Sequence, residues 1–337
     1  MTVDLRHHGD ADAIPGLVDL AVNVRPGTPP RWLRERIAQA DLARYPDQRE
    51  ALAAIAARYE RNAREVLLTG GAAEAFVLLA RALAPRLAVI VHPQFTEPEI
   101  ALAAAGHPVQ RLIVPPPFTL DPTRVPDDAD LVIVGNPTNP TSVLHPATAI
   151  RSLCRPGRTV VVDEAFADCV AGDPQTLAGD PEVVVIRSLT KTWGLAGLRV
   201  GFVLGPATLV DRLRAAQPHW PVSSPALAAC IACSTSEASA EAQAWADDLV
   251  RRRAQLADLL RSVPGVHVVA GAAASFLLVR TDHAAIWNPL RDKGFAVRRG
   301  DTFPGLDAHW FRVAVRDTST STSFAHALRE ALDDLAG

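Results

Sequence analysis

Residues 187–202 read RSLTKTWGLAGLRVGF, and their reading decides the rest of this 337-residue chain. They follow the short apolar run Val183–Ile186, which predicts a buried strand. Lys191 therefore falls in a turn at the mouth of a strand, flanked by Ser188 and Thr190, with Arg199 close behind. That combination suits one task. The amine can form an imine with an aldehyde, while hydroxyls, backbone N–H groups and a guanidinium hold a phosphate. The same residues also describe a surface lysine in a strand-to-helix turn, so the flanking chain decides between the two.

Upstream, RTVVVDEAFAD at 158–168 predicts a buried strand ending in Asp163. A carboxylate at the end of an all-apolar strand needs a partner: a helix N-terminus or a protonated ring nitrogen. DLVIVGNPTNPTSVL, 130–144, is a strand closed by a doubled Asn-Pro, where prolines fix the loop and asparagines supply amide donors. LAVIV, 87–91, is another strand, and Phe95 lies just past its end, placed to stack on a flat heterocycle or to fill the core. In EVLLTGGAAEAF, 65–76, a strand runs into Gly70-Gly71 and a helix follows, which makes either an anion cradle or a tight turn. Strands alternate with helices, so the sheet is expected to be mostly parallel, with ligands gathered at strand carboxyl ends. Gly70–Ala73, Phe95, Asn136–Pro140, Asp163 and Lys191 all fall at such ends.

Residues 1–30 read as irregular and rich in Pro and Gly, either a solvated arm or a segment folded over the mouth of a site. Helices are predicted over 31–44 and 48–61, broken by Tyr45-Pro46-Asp47, and helical pattern runs from 206 to 260 with an interruption at 218–225. From about 265, VHVVAG, SFLLVRT, GFAVRRG and HWFRVAVRD predict the strands of a smaller α+β unit. Arg298, Arg299, Arg312 and Arg316 lie on or beside those strands, where they would face an anionic substrate or solvent.

The length favours two domains, and 48% hydrophobic residues allow a sizeable core. A formal net charge of -3 with no basic block argues against a nucleic-acid partner. The N-terminal MTVDLRHHGDAD has no apolar stretch of a secretory signal, and no apolar run is long enough to span a bilayer, so no membrane association is expected. Cys230 and Cys233 form C-x-x-C without a second pair, which reads as one buried helical face rather than a redox or metal site; no metal is expected. A reduced cytoplasm fits this cysteine usage.

Taken together, these segments resemble the class I/II enzymes of fold type I that depend on pyridoxal 5'-phosphate (PLP), over essentially the whole chain. Within that group the chain looks most like the L-threonine-O-3-phosphate decarboxylases of cobalamin biosynthesis, with histidinol-phosphate aminotransferases as their sister family. RSLTK followed by GLRVGF is similar to both. Two features lean toward the decarboxylases: Phe166 in DEAFAD, and RRGDTFPGLDAHWFRVAVRD at 298–317. The resemblance implies a large three-layer α/β/α domain at 35–225 with a mostly parallel sheet. It also implies a smaller α+β domain at 226–337 and an N-terminal arm, 1–34, that joins it. Lys191 would be the Schiff-base lysine and Asp163 the partner of the pyridinium nitrogen. Asn139 would bond the ring's phenolic oxygen and Phe95 would stack on the ring. Gly71, Ala72, Ala73, Ser188, Thr190 and Arg199 would hold the cofactor phosphate. Tyr45 would reach the cofactor phosphate of a neighbouring subunit, which implies a homodimer. Arg312 would receive the substrate carboxylate, and His8, Asn23 and Arg298 would make further contacts to a small anionic amino-acid substrate, including its phosphate.

The implied activity is decarboxylation of L-threonine O-3-phosphate to an aminopropanol phosphate, with transamination of histidinol phosphate or another amino acid as the alternative. A PLP-sensing transcription regulator is not expected, because no helix-turn-helix module precedes the site. Phe166 departs from the tyrosine of many aminotransferases. Its lack of a hydroxyl beside the phenolic oxygen should raise the imine pKa, and a spectrophotometric titration of Phe166→Tyr is expected to show the pKa fall; an unmoved titration contradicts this. Ala72 and Ala73 lack the polar side chains of some relatives, so the cradle would rest on backbone N–H groups.

Overall fold

The computed structural model describes residues 3–336. Its central sheet has seven strands, in the order Val66–Thr69, Gly201–Leu204, Val184–Ser188, Thr159–Asp163, Leu131–Gly135, Ala88–His92 and Val109–Ile113. Gly201–Leu204 runs antiparallel to both its neighbours, and the other pairs are parallel. These strands read as unbroken apolar runs because both faces are covered. Successive side chains point to opposite faces. Val184 and Ile186 pack with Phe76, Leu79 and Leu213 on one side, while Val183 and Val185 pack with Leu33, Ile55 and Cys230 on the other. The result is the expected three-layer α/β/α arrangement.

A second, antiparallel sheet has the order Arg298–Arg299, Trp310–Ala314, Phe276–Thr281 and Val266–Val268. Its core joins Phe276, Phe311 and Val313 to Leu256 and Leu260 of the helix Ser236–Arg261 and to Phe324 and Leu328 of the helix Thr318–Ala336. The N-terminal segment is tied to this unit. Val18–Asp19 pairs in parallel with Phe295–Ala296, and Leu20 accepts from the Ala314 N–H.

Several local expectations are corrected. Residues 1–30 are not wholly irregular: they hold a one-turn helix, Gly9–Asp12, and the strand Val18–Asp19. That strand has no local signal because its partner lies almost the whole chain away. The helix expected over 31–44 ends at Ala38. Beyond it Asp41 accepts the Ala43 N–H, a local bond that competes with helix continuation. The second helix spans Arg49–Arg58. The run from 206 to 260 is three helices, Ala207–Ala216, Ser224–Cys233 and Ser236–Arg261. Thr235 separates the last two by capping the longer, its Oγ1 accepting the Ala238 N–H. Cys230 and Cys233 are fully buried thiols whose pKa values are pushed up by burial, Cys230 to about 12. No helix among the described residues is long and apolar enough to cross a membrane.

Candidate active site

Where the apolar strands end, polar residues begin, and the carboxyl ends of several strands open on one cavity of about 370 Å³. Lys191 stands on the short helix Thr190–Trp193, directly after the strand Val184–Ser188. Trp193 of that helix is fully buried and meets Trp32 edge-on, with ring centroids 5.4 Å apart, which fixes the turn. Gly194 ends the helix at φ +68°, and Thr28 lies so close that any Cβ there would clash. The Arg25 N–H donates to the Lys191 carbonyl at 2.9 Å. The arm therefore runs across the lysine's own turn.

Lys191 Nζ forms no ion pair among the described residues and sits 5.5 Å from the centre of the Phe166 ring. Burial, reinforced by the positive charge of Arg312, lowers its pKa from 10.5 to about 8. A neutral amine is what carbonyl addition needs. We expect the rate at which cofactor-free protein recaptures PLP to rise with pH about a midpoint near 8, followed by absorbance. A rate still climbing toward the ordinary lysine range contradicts this.

Asp163 ends the strand Thr159–Asp163, and its Oδ1 accepts one hydrogen bond, from the Ala165 N–H at 3.0 Å. Burial raises its pKa to about 6, against the opposing effects of that bond and the Lys191 charge. Lone-pair sites remain open toward the cavity, so the carboxylate has room for a cationic N–H.

The cradle is built where Gly71, at φ +85°, precedes the helix Ala72–Leu83. A Cβ on Gly71 would lie 2.7 Å from Arg199 Nη2, so only glycine lets the guanidinium close on the turn. Arg199 bonds the Gly70 and Ala196 carbonyls and pairs with no carboxylate among the described residues. Ser188 and Thr190 complete the wall, and the Thr190 N–H donates to Ser188 Oγ at 3.2 Å. A helix N-terminus, two hydroxyls and an unpaired guanidinium fit a phosphate. Phe95 lines the same cavity. These groups together fit PLP.

Arg312 is buried, and like Arg199 it has no carboxylate within 4.0 Å among the described residues. It donates to Asn139 Oδ1 and to the Ala21 carbonyl, lies 5.3 Å from the Phe276 ring centre, and meets Asn23, whose amide oxygen accepts from Nε at 3.0 Å. Burial lowers its pKa to about 9, which marks it as a cation in want of an anion. Arg298 differs: it is already paired, through Nη1, with Asp12 Oδ2 at 3.2 Å. His8 faces Phe95 with centroids 5.5 Å apart and bonds Glu97 Oε1 at 2.6 Å.

Of the residues singled out from sequence, His8, Asn23, Gly71, Ala72, Ala73, Phe95, Asn139, Asp163, Ser188, Thr190, Lys191, Arg199, Arg298 and Arg312 all line this cavity. Tyr45 does not. It is 76% exposed and stacks on the exposed Trp220 at 4.3 Å. Sequence reading missed Gln94 and Phe303 of the lining. Gln94 is one residue from Phe95 and could have been found by that proximity. Phe303 reaches the cavity only through the fold of the smaller unit.

A family model described as aminotransferase class I and II matches residues 15–328. A histidinol-phosphate aminotransferase of Mycobacterium tuberculosis is 53% identical over 318 residues, covering 92% of this chain and 87% of the relative. A threonine-phosphate decarboxylase of Salmonella typhimurium is 29% identical, covering 95% and 92%. Among solved structures, a histidinol-phosphate aminotransferase from Clostridium acetobutylicum superimposes with a TM-score of 0.85 at 24% identity, covering 94% of this chain and 99% of that one; this likeness bears on fold alone. The expectation of a threonine-phosphate decarboxylase is corrected by the 53% relative. Phe166 and the segment 298–317 misled, because the arginines which that segment brings to the cavity, Arg298 and Arg312, suit an anionic substrate of either reaction.

Proposed function

The chain belongs to the class I and II aminotransferase family, and from that premise we propose that it is a PLP-dependent aminotransferase whose amino donor is histidinol phosphate or a related amine. The observation that carries this reading is the 53% identity to a relative of that name across nearly the whole chain. The cofactor is pyridoxal 5'-phosphate. When bound, it supplies an aldehyde for the amine and a ring that accepts electrons.

The chain's own residues do the rest. Gly71, Ala72, Ala73, Ser188, Thr190 and Arg199 hold the phosphate, Phe95 covers the ring and Asn139 meets its phenolic oxygen. Asp163 keeps a proton on the ring nitrogen, which makes the ring a better electron acceptor. Lys191 Nζ takes the proton from the carbon that bears the substrate amine, and its lowered pKa suits a base near neutral pH. Arg312 receives an anionic group of the substrate and so fixes which bond Lys191 faces. Asn23, held against Arg312, and His8 stand beside it as further substrate contacts.

The assembly proposed is a homodimer. The exposed Leu42, Tyr45 and Trp220 support it, since large apolar side chains left in solvent commonly mark an interface. In that dimer Tyr45 serves the partner's cofactor phosphate, which accounts for its place outside the cavity of its own chain. The test of the activity is amino transfer from histidinol phosphate to 2-oxoglutarate, read as glutamate formed; no glutamate from any amine of this class overturns the reading.

A further inference from the structure

Behind the arm that crosses the Lys191 turn lies a second cavity, of about 410 Å³. One wall is a face of the helix Ser236–Arg261, where Glu241, Ala244, Trp245, Asp248, Leu249 and Arg252 recur at the spacing that keeps side chains on one side. The opposite wall is the arm itself, residues 24–26, together with residues 315 and 316 just past the strand Trp310–Ala314. The charges of this cavity do not cancel. Arg25 is matched by Glu241 at 3.1 Å and Arg252 by Asp248, but Arg316 has no carboxylate within 4.0 Å among the described residues. Its Nη1 donates to the Val315 carbonyl at 3.2 Å, and its Nη2 to the Asp19 and Val22 carbonyls at 3.1 and 2.7 Å. Its Nε donates to no protein atom among the described residues, so part of the fork is open. Burial pushes its pKa below the ordinary arginine value, against the more distant charges of Asp19 and Asp317.

We propose that this second cavity binds a small organic monocarboxylate at Arg316, and that its occupation steadies the arm from the side away from the active cavity. One unmatched guanidinium calls for one negative charge, and a carboxylate fits its planar fork. Val24, Pro26, Trp245, Leu249 and Val315 surround that charge, so the body of the ligand is apolar. The arm is a partition between two cavities: Val22, Asn23 and Val24 line the active one, and residues 24–26 line this one. Arg316 holds the Val22 carbonyl, Asn23 meets Arg312, and the Arg25 N–H meets the Lys191 carbonyl. A carboxylate that fixes Arg316 therefore restrains a segment in contact with both Arg312 and the lysine turn. An anion at Arg312 then has less motion to arrest and binds tighter, and by reciprocity it tightens the second cavity. Arg316 touches no reacting atom, and the inference does not depend on which amine the enzyme takes.

The test uses the PLP-loaded protein and benzoate, a monocarboxylate with an apolar body, in calorimetric titrations, with hydrogen exchange of the Arg25 amide as a second readout. Ala244 is exposed on its helix and lines only the second cavity, so Ala244→Phe fills that space and removes no charge. The native chain is expected to bind benzoate at a site that Ala244→Phe abolishes and that Arg316→Gln weakens about tenfold, the scale of one hydrogen bond to a charged group. Benzoate is also expected to slow exchange of the Arg25 amide in the native chain and not in Ala244→Phe. Benzoate that binds the native chain and Ala244→Phe alike sits at Arg312 and overturns the proposal, as does a native chain that binds none. Binding lost in Ala244→Phe but without slower exchange in the native chain overturns the effect on the arm. If Arg316→Gln does not fold, Ala244→Phe decides alone. None of these readouts needs turnover, so a protein that fails to transaminate histidinol phosphate but shows them refutes the proposed reaction and leaves the second site standing.

Discussion

Lys191→Ala is expected to lower kcat by on the order of ten-thousand-fold while leaving the fold intact. The loss follows from the role proposed for the amine, to carry the cofactor and move the proton, and positioned acid–base groups alone account for about 10²–10⁴-fold. The fold should survive because the lysine is a burden to it. Burial and the facing Arg312 hold its pKa near 8, below its ordinary value, so the folded chain disfavours the charged form. Stability linked to this group rises with pH between about 8 and 10.5, where the unfolded chain binds more protons, and alanine should remove that rise. Thermal melts against pH, together with kcat, check both halves. Retained turnover at a tenth of the native rate would contradict the assignment of Lys191.

Asp163→Asn is expected to cost on the order of a thousandfold in kcat, the scale of losing one electrostatic stabiliser in a water-poor site. An amide cannot carry the charge that keeps the ring nitrogen protonated. The pH dependence gives an independent signature. The folded carboxyl has its pKa raised to about 6 by burial. Its contribution to stability is therefore fully present below its ordinary value of 3.8 and is lost as pH rises through about 6. Cofactor-free Asp163→Asn should lack this loss and melt higher than the native chain above pH 6. It should also lower the Lys191 pKa further, since the Asp163 charge is one of the effects that raise it. Equal melts across that range would mean that the carboxyl is not buried uncompensated. The measurement is calorimetry on both proteins without PLP.

Much of this site is legible in sequence because strand ends are. A run such as Val183–Ile186 reads as a doubly covered strand, and the first polar residues after it fall at or just past the strand's carboxyl end, where Ser188, Thr190 and Lys191 stand. Asp163, Asn139 and Gly71 follow by the same logic. What stayed hidden depends on long-range pairing. The strand Val18–Asp19 exists only because Phe295–Ala296 lies beside it, and the link from Asp12 to Arg298 spans most of the chain. Arg298 and Arg312 look alike in sequence, both on strands of the smaller unit. Only the fold shows that one is neutralised and the other is not. The choice between breaking a bond to carbon dioxide and breaking one to hydrogen was likewise out of reach, since the roles proposed for Lys191, Asp163 and Arg312 suit both chemistries and placement alone divides them.

The most direct measurement is a single half-reaction. PLP-loaded protein is mixed with histidinol phosphate in the absence of any oxo acid, and the cofactor absorbance is followed. Conversion of one cofactor per site to its amine form, reversed on adding 2-oxoglutarate, is the predicted result. An unchanged cofactor with histidinol phosphate, together with carbon dioxide released from L-threonine O-3-phosphate, would contradict the account.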